Sequence, residues 1–276
     1  MLPGVEIPLL GAVSTKSALV LAAVVAAVAL GVRGAVGQEN LPLAKTLVAF
    51  LGLGGLAFAG ARLHFFLAHP APLTQVPETL FRMDASAMHA PGALLLLGLA
   101  GGPWLRLLGL PVGRFADAMV TGVCVGVALA RLGCFLAGCC FGEVCDLPWA
   151  VSLPPTSSSY LEQVAQARIA FGAHRSLPVH PLPLYFALVA VGIGAFLAWL
   201  RPRRTYEGQL AVLLLVLFSF SSLVLEFWRA DHGGRIYWLG VPQLFWVSLA
   251  MTVASAGLAT FLRLHHRTPS DQSRHR

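Results

Sequence analysis

Long apolar stretches alternate with short polar connections along this chain, and the length of the stretches decides its class. A helix needs roughly 20 apolar residues to cross about 30 Å of hydrocarbon. Seven stretches meet that need: Ser17 to Gly34, Leu41 to Ala68, Ala90 to Leu110, Phe115 to Cys140, Pro181 to Leu200, Leu210 to Phe227 and Val241 to Leu262. Gly and Pro recur inside them, as membrane helices tolerate. The pattern predicts an all-α, polytopic membrane protein with about seven transmembrane helices, forming a single integral membrane domain over residues 1–276. There is no convincing internal repeat.

Composition excludes the alternative of a soluble domain. Of 276 residues, 57% are hydrophobic and 11% charged, against about a quarter charged in soluble domains. No basic region precedes the first apolar stretch in MLPGVEIPLLGAVSTKS, so no cleaved signal is expected. The net charge of +7 matters through its placement. Arg33, Lys45, Arg106, Arg114, Arg201, Arg203, Arg204, Arg263, Arg267, Arg274 and Arg276 flank the connections after spans one, three, five and seven. The other face balances fewer cations with Glu78, Asp84, Glu143, Asp146, Glu162 and Asp231. The positive-inside rule then puts the N-terminus outside and the C-terminus in the cytoplasm. Residues 142–180 become an outer, periplasmic loop and residues 264–276 a basic cytoplasmic tail. That tail reads as a topogenic and headgroup anchor rather than a nucleic-acid site.

Ionisable groups inside apolar stretches cost about 2.5 to 3.5 kcal/mol each to insert, so each exception is a candidate site. Arg62 and His64 lie toward the outer end of span two, Asp117 opens span four, Arg131 occupies its outer half, and Glu226 with Arg229 closes span six. Snorkelling to the interface suits Asp117 and Arg229; Arg131 fits it less well, because apolar residues follow it. Glu226 and Arg229 are spaced to pair on one helix face. Arg62, His64, His89, Arg131, His180, Glu226, Arg229, Asp231 and Arg235 collect in one outer layer, whereas Asp117 lies on the inner side. A cationic pocket there suits an anionic phospholipid, whose phosphate oxygens match guanidinium forks.

These segments, taken in order, resemble prolipoprotein diacylglyceryl transferase. The segments are GARLHFF from Gly60, MHAPGALLLLG from Met88, ARLGCFLAGCCFGEVCDLPWAV from Ala130, HPLPLY from His180 and LEFWRAD from Leu225. The resemblance implies a seven-span transferase of the bacterial inner membrane. Such an enzyme moves a diacylglyceryl group from phosphatidylglycerol to a lipoprotein cysteine, without metal or organic cofactor. It implies catalytic roles for His89, as general base, and Arg131, as phosphate holder. Arg62, Cys134, His180, Tyr185, Glu226 and Arg229 fall at substrate-binding positions. The chain departs from the family's pattern at Cys134, where asparagine is usual, and at Cys139, where the signature has glutamate. Ser222 stands for an arginine, Phe218 for a tyrosine, and Ala90 and Pro91 for glycines. A rival reading is a lipid-binding or thiol-redox membrane protein that kept the scaffold and lost the reaction.

The cysteines leave several readings open. Cys124 suits a small buried hydrophobe. Cys140 and Cys145 could form a disulfide on an oxidising outer face. A metal site lacks the paired two-residue spacing of zinc ribbons and would need His180 from another span; no metal is expected. Chemically, a thiol beside Arg131 has its thiolate favoured by the cation. Cys139 is thus a candidate nucleophile, or a redox partner of Cys134, one turn plus one residue away on the same helix.

Overall fold

The computed structural model describes residues 5–7, 11–13, 15–68, 90–230 and 237–265. His89, Asp231 and Arg235, and most of the basic tail, lie outside these residues. The protein is an all-α polytopic membrane protein. Its long helices are α1 Thr15–Gly37, α2 Leu43–Ala68, α5 Val112–Leu136, α7 Leu182–Leu200, α8 Gln209–Glu226 and α9 Gln243–His265. Among the described residues, six helical stretches are long and apolar enough to cross a membrane. Short helices α3 Ala90–Leu96, α4 Gly102–Leu107 and α6 Ser158–Ala165 complete the set, with two minute hairpins, β1 Val5–Ile7 with β2 Gly11–Val13 and β3 Tyr237–Trp238 with β4 Val241–Pro242.

The third apolar stretch differs from expectation. It is helical from residue 90 to 107 but interrupted by a π-helical turn, Leu97–Gly101, between α3 and α4. Pro103 has no amide hydrogen to bond the carbonyl of Leu99, and two glycines precede it; the hydrogen-bond ladder widens where that donor is missing.

The chain forms two compact units, Met1–Gly31 with Met119–Arg276, and Val32–Ala118. In the smaller unit α2 crosses α3 where Gly60 and Gly92 bring the backbones into contact, each glycine facing the other's carbonyl. The indole of Trp104 fills the space beside Gly52, and Phe50 meets Phe115 at 5.8 Å between ring centroids. Arg114 donates to the Glu39 carbonyl at 2.6 Å and lies 3.7 Å from its carboxylate. Asp117 is completely buried, so snorkelling does not describe it: the protein interior, not the interface, receives this carboxylate.

In the larger unit α1 packs on α5 through Gly122 and Gly126, which admit Ala27 and Ala23; small residues allow this close approach. A core of Val120, Ile193, Leu197, Leu210 and Leu214 joins α5, α7 and α8 around Cys124, which packs as a buried hydrophobe. Phe218 packs against the same core. Between α8 and α9 the Thr252 hydroxyl donates to Ser219 Oγ at 2.9 Å.

Candidate functional site

Helix α5 stops at Leu136, earlier than the apolar pattern suggests, because Gly138 adopts a left-handed φ of +66°. Its amide bonds the Phe135 carbonyl at 3.0 Å, and the amide of Cys139 reaches back to the Cys134 carbonyl at 3.1 Å. This pair of bonds is a Schellman cap, which folds the residue after the glycine back onto the last full turn. Cys139 is therefore not on the helix with Cys134, as expected; it lies in the turn beyond, its thiol 3.5 Å from the Cys134 carbonyl. Cys140 follows with a left-handed φ of +59°, unusual for a side-chain-bearing residue. Its thiol points at Cys139 Sγ across 3.9 Å. The sulfurs of Cys134, Cys139 and Cys140 all lie within 4.8 Å of one another. All five cysteines are free, so Cys140 and Cys145 are not joined.

The segment after the cap threads into the rest of the unit. Gly142 donates to the His180 carbonyl at 3.0 Å, His180 donates to the Glu143 carbonyl at 3.0 Å, and Glu143 donates to the Trp228 carbonyl at 2.8 Å. Gly142 also forms an isolated antiparallel bridge with Arg229. Only glycine fits at 142: a Cβ there would lie 2.6 Å from His180 Cβ and 2.8 Å from the Trp228 carbonyl oxygen. Three stretches far apart in sequence, 131–149, 180–186 and 226–230, thus meet at one residue.

Their side chains make several polar and aromatic contacts. The Arg131 guanidinium carbon stands 4.3 Å from the centroid of the Phe186 ring. This stacking fixes the plane of the cation and leaves its N–H edge uncommitted: among the described residues no carboxylate or carbonyl accepts from it. Trp149 donates its indole N–H to Tyr185 Oη at 2.8 Å, and Tyr185 Oη lies 3.3 Å from His180 Nδ1. The phenol oxygen thus joins the indole of Trp149 to the imidazole of His180, whose Nδ1 donates or accepts according to its tautomer. Glu226 and Arg229 pair at 3.6 Å, with side chains 4% and 13% exposed, as their spacing predicts. A narrow crevice runs past Phe135, Cys139, His180, Pro181 and Pro183. Beside it, a cavity of about 190 Å³ lies between Gly142–Glu143 and Glu162–Arg168. Past the helix end, the Cys139 thiol is pushed above the ordinary range, first by hydrogen bonding with Cys134, then with Cys140, then by burial. A thiol in that condition donates hydrogen bonds, and must lose its proton before it acts as a nucleophile.

Arg131, Cys134, Cys139, His180, Tyr185, Glu226 and Arg229 accordingly share one unit. Arg62 belongs to the other, buried with its guanidinium 5.4 Å from the Phe58 ring centroid. His89 lies outside the described residues. Trp149, Phe186 and Gly142 were not among the candidate residues; the aspartate-leucine-proline-tryptophan run at Asp146 was the one available signal for Trp149.

The family model described as prolipoprotein diacylglyceryl transferase matches residues 8–261. The chain belongs to the prolipoprotein diacylglyceryl transferase family. Among its relatives is a protein of Clostridium tetani named phosphatidylglycerol–prolipoprotein diacylglyceryl transferase, 26% identical over 47% of this chain and 47% of the relative. A second, from Clostridium perfringens, is 23% identical over 67% of this chain and 66% of the relative. A third, from Xanthomonas oryzae, is 27% identical over 80% and 75%. The matched part thus spans about half of the first relative and just under two thirds of the second. Within the family's frame, the segments beginning at Ala130, His180 and Leu225 meet at Gly142, and GARLHFF meets PGALLLLG, the described part of its segment, at the Gly60–Gly92 crossing.

Proposed function

We propose that this chain is a transferase of the bacterial inner membrane that moves a diacylglyceryl group from phosphatidylglycerol to the cysteine thiol of a prolipoprotein. The observations that carry this reading are the convergence of three family segments on Gly142 and, within the first of them, an arginine with an uncommitted donor edge. In the reaction the acceptor sulfur forms a bond to the glyceryl carbon of the lipid. The carbon–oxygen bond to phosphate breaks, and glycerol phosphate leaves with that electron pair. The thiol proton passes to a base, a role the resemblance assigns to His89. Arg131, braced on Phe186, holds the phosphate and offsets the charge that grows on it as it leaves. The Trp149–Tyr185–His180 chain holds the His180 imidazole in place to serve the same headgroup. The Glu226–Arg229 pair anchors the 226–230 segment against Gly142. The 90–107 segment serves as the third of seven crossings, with the N-terminus outside and residues 142–180 in the periplasm.

The test is expression in a bacterium depleted of its own diacylglyceryl transferase, following a reporter lipoprotein by mass. The reporter gains a diacylglyceryl group with the wild-type chain and not with Arg131→Ala at equal membrane abundance. Absence of modification by the inserted wild-type chain overturns the proposal. It would favour the rival, a lipid-binding or thiol-redox protein, to which Ser222 in place of the family arginine and the thiol trio point.

A further inference from the structure

Two of the three clustered cysteines stand where the family uses an amide and a carboxylate, and their spacing in sequence matches no common metal motif. The helix cap changes that assessment. The Schellman turn places Cys139 over Cys134, and the left-handed backbone of Cys140 brings the third sulfur to the same side. We propose that Cys134, Cys139 and Cys140 form a trigonal thiolate site for one copper(I) ion.

Four features carry the assignment. The sulfurs already lie within 4.8 Å of one another, and Cys139 and Cys140 are 3.9 Å apart. Three sulfurs around a metal at about 2.3 Å are about 4 Å apart, so the trio needs only sub-ångström closure. Next, the described sulfur contacts are the other two sulfurs and the Cys134 carbonyl; no harder donor is committed to them. Then, all three residues are half-buried, so an ion has access and is still partly shielded from water. Last, the cations Arg131 and Lys16 lie within Coulomb range of the Cys134 sulfur and offset the charge of three thiolates around a monovalent ion.

Soft thiolates select thiophilic ions. A structural zinc site takes four protein ligands and a three-ligand one adds a water, whereas the described residues bring three soft donors together, the number a trigonal copper(I) centre needs without water. Binding exchanges the thiol protons, which leave to solvent, for three sulfur–copper bonds. No electron is transferred. The occupied site engages Cys139, so copper and any covalent use of that thiol exclude each other.

The experiment uses the full chain in detergent, reduced and free of oxygen, titrated with copper(I) as its acetonitrile complex against a chromogenic copper(I) chelator. One copper per chain is retained, X-ray absorption reports a three-coordinate sulfur shell, and the folded, copper-loaded chain protects the trio from alkylation until a chelator strips the metal, after which the denatured protein shows all five thiols. Cys139→Ser and Cys140→Ser lose the ion, and Cys145→Ser keeps it. The wild-type sulfur shell stands as a readout even where a variant folds poorly. The proposal is overturned by wild-type protein with five countable thiols that yields all copper to the chelator. Zinc retained in preference with nitrogen or oxygen in its shell, or a disulfide within the trio after reduction, overturns it equally. Because metal retention is read without lipid or acceptor, neither result bears on the transfer activity.

Discussion

Arg131 illustrates how one side chain can be both braced and available. Its flat face is occupied by Phe186, so the cation is oriented before any anion arrives, and little rotamer entropy is left to lose on binding. A lysine keeps the charge but neither stacks nor presents a fork. Arg131→Lys should therefore lower the rate of reporter modification by roughly 10- to 150-fold, the equivalent of about 1.5 to 3 kcal/mol for hydrogen bonds to a charged group; in vitro assay with phosphatidylglycerol vesicles checks this. Tyr185→Phe removes the oxygen joining Trp149 to His180. Loss of about 1 kcal/mol per bond predicts a severalfold fall in kcat/KM with unchanged thermal stability. Of these two features only the arginine was legible in the sequence, since a cation in an apolar run is conspicuous by itself. The Trp149–Tyr185 bond joins residues 36 apart, and no periodicity signals such a pairing.

Elements here are set by what ends or crosses them more than by helix propensity. Gly142→Ala would press a methyl group onto the His180 Cβ and the Trp228 carbonyl. Overpacking of this kind costs about 1 to 3 kcal/mol, and the expected result is a lower midpoint of thermal inactivation together with weakened modification. The α8–α9 contact offers a quieter test. Ser219→Ala and Thr252→Val each break the same interhelical hydrogen bond, and a double-mutant cycle should report a coupling of about 0.6 kcal/mol and no more than about 1.7. Hydropathy located the helices well because crossing length is a strong constraint. It misplaced the end of α5, since the turn at Gly138 depends on backbone handedness that an apolar average does not register. That single error hid the thiol cluster, because three sulfurs converge only once Cys139 leaves the helix. Asp117 was misread for a related reason: position near a helix start says nothing about which neighbours enclose the side chain.

At the scale of the whole molecule, the untested quantity is the path through the bilayer. The interrupted helical segment 90–107 decides it, for if that segment crosses, every later connection lies on the face the arginines assign. Alkaline phosphatase fused within residues 166–173 should be active, and the same reporter fused after residue 265 inactive; the reverse pattern would overturn the assigned orientation, and a fusion just before residue 90 then reports whether the π-turn segment crosses. The loop of residues 142–180 also has a property that its length conceals. Its first residue bonds directly to its last, through Gly142 and His180, so the ends of the loop are held together at one junction, with Trp149 reaching out of it to Tyr185. Cutting or lengthening such an excursion adds little closure entropy, about 0.6 kcal/mol per doubling. A protease nick or an inserted tag near Ala167–Gly172 should accordingly leave the Gly142 junction assembled.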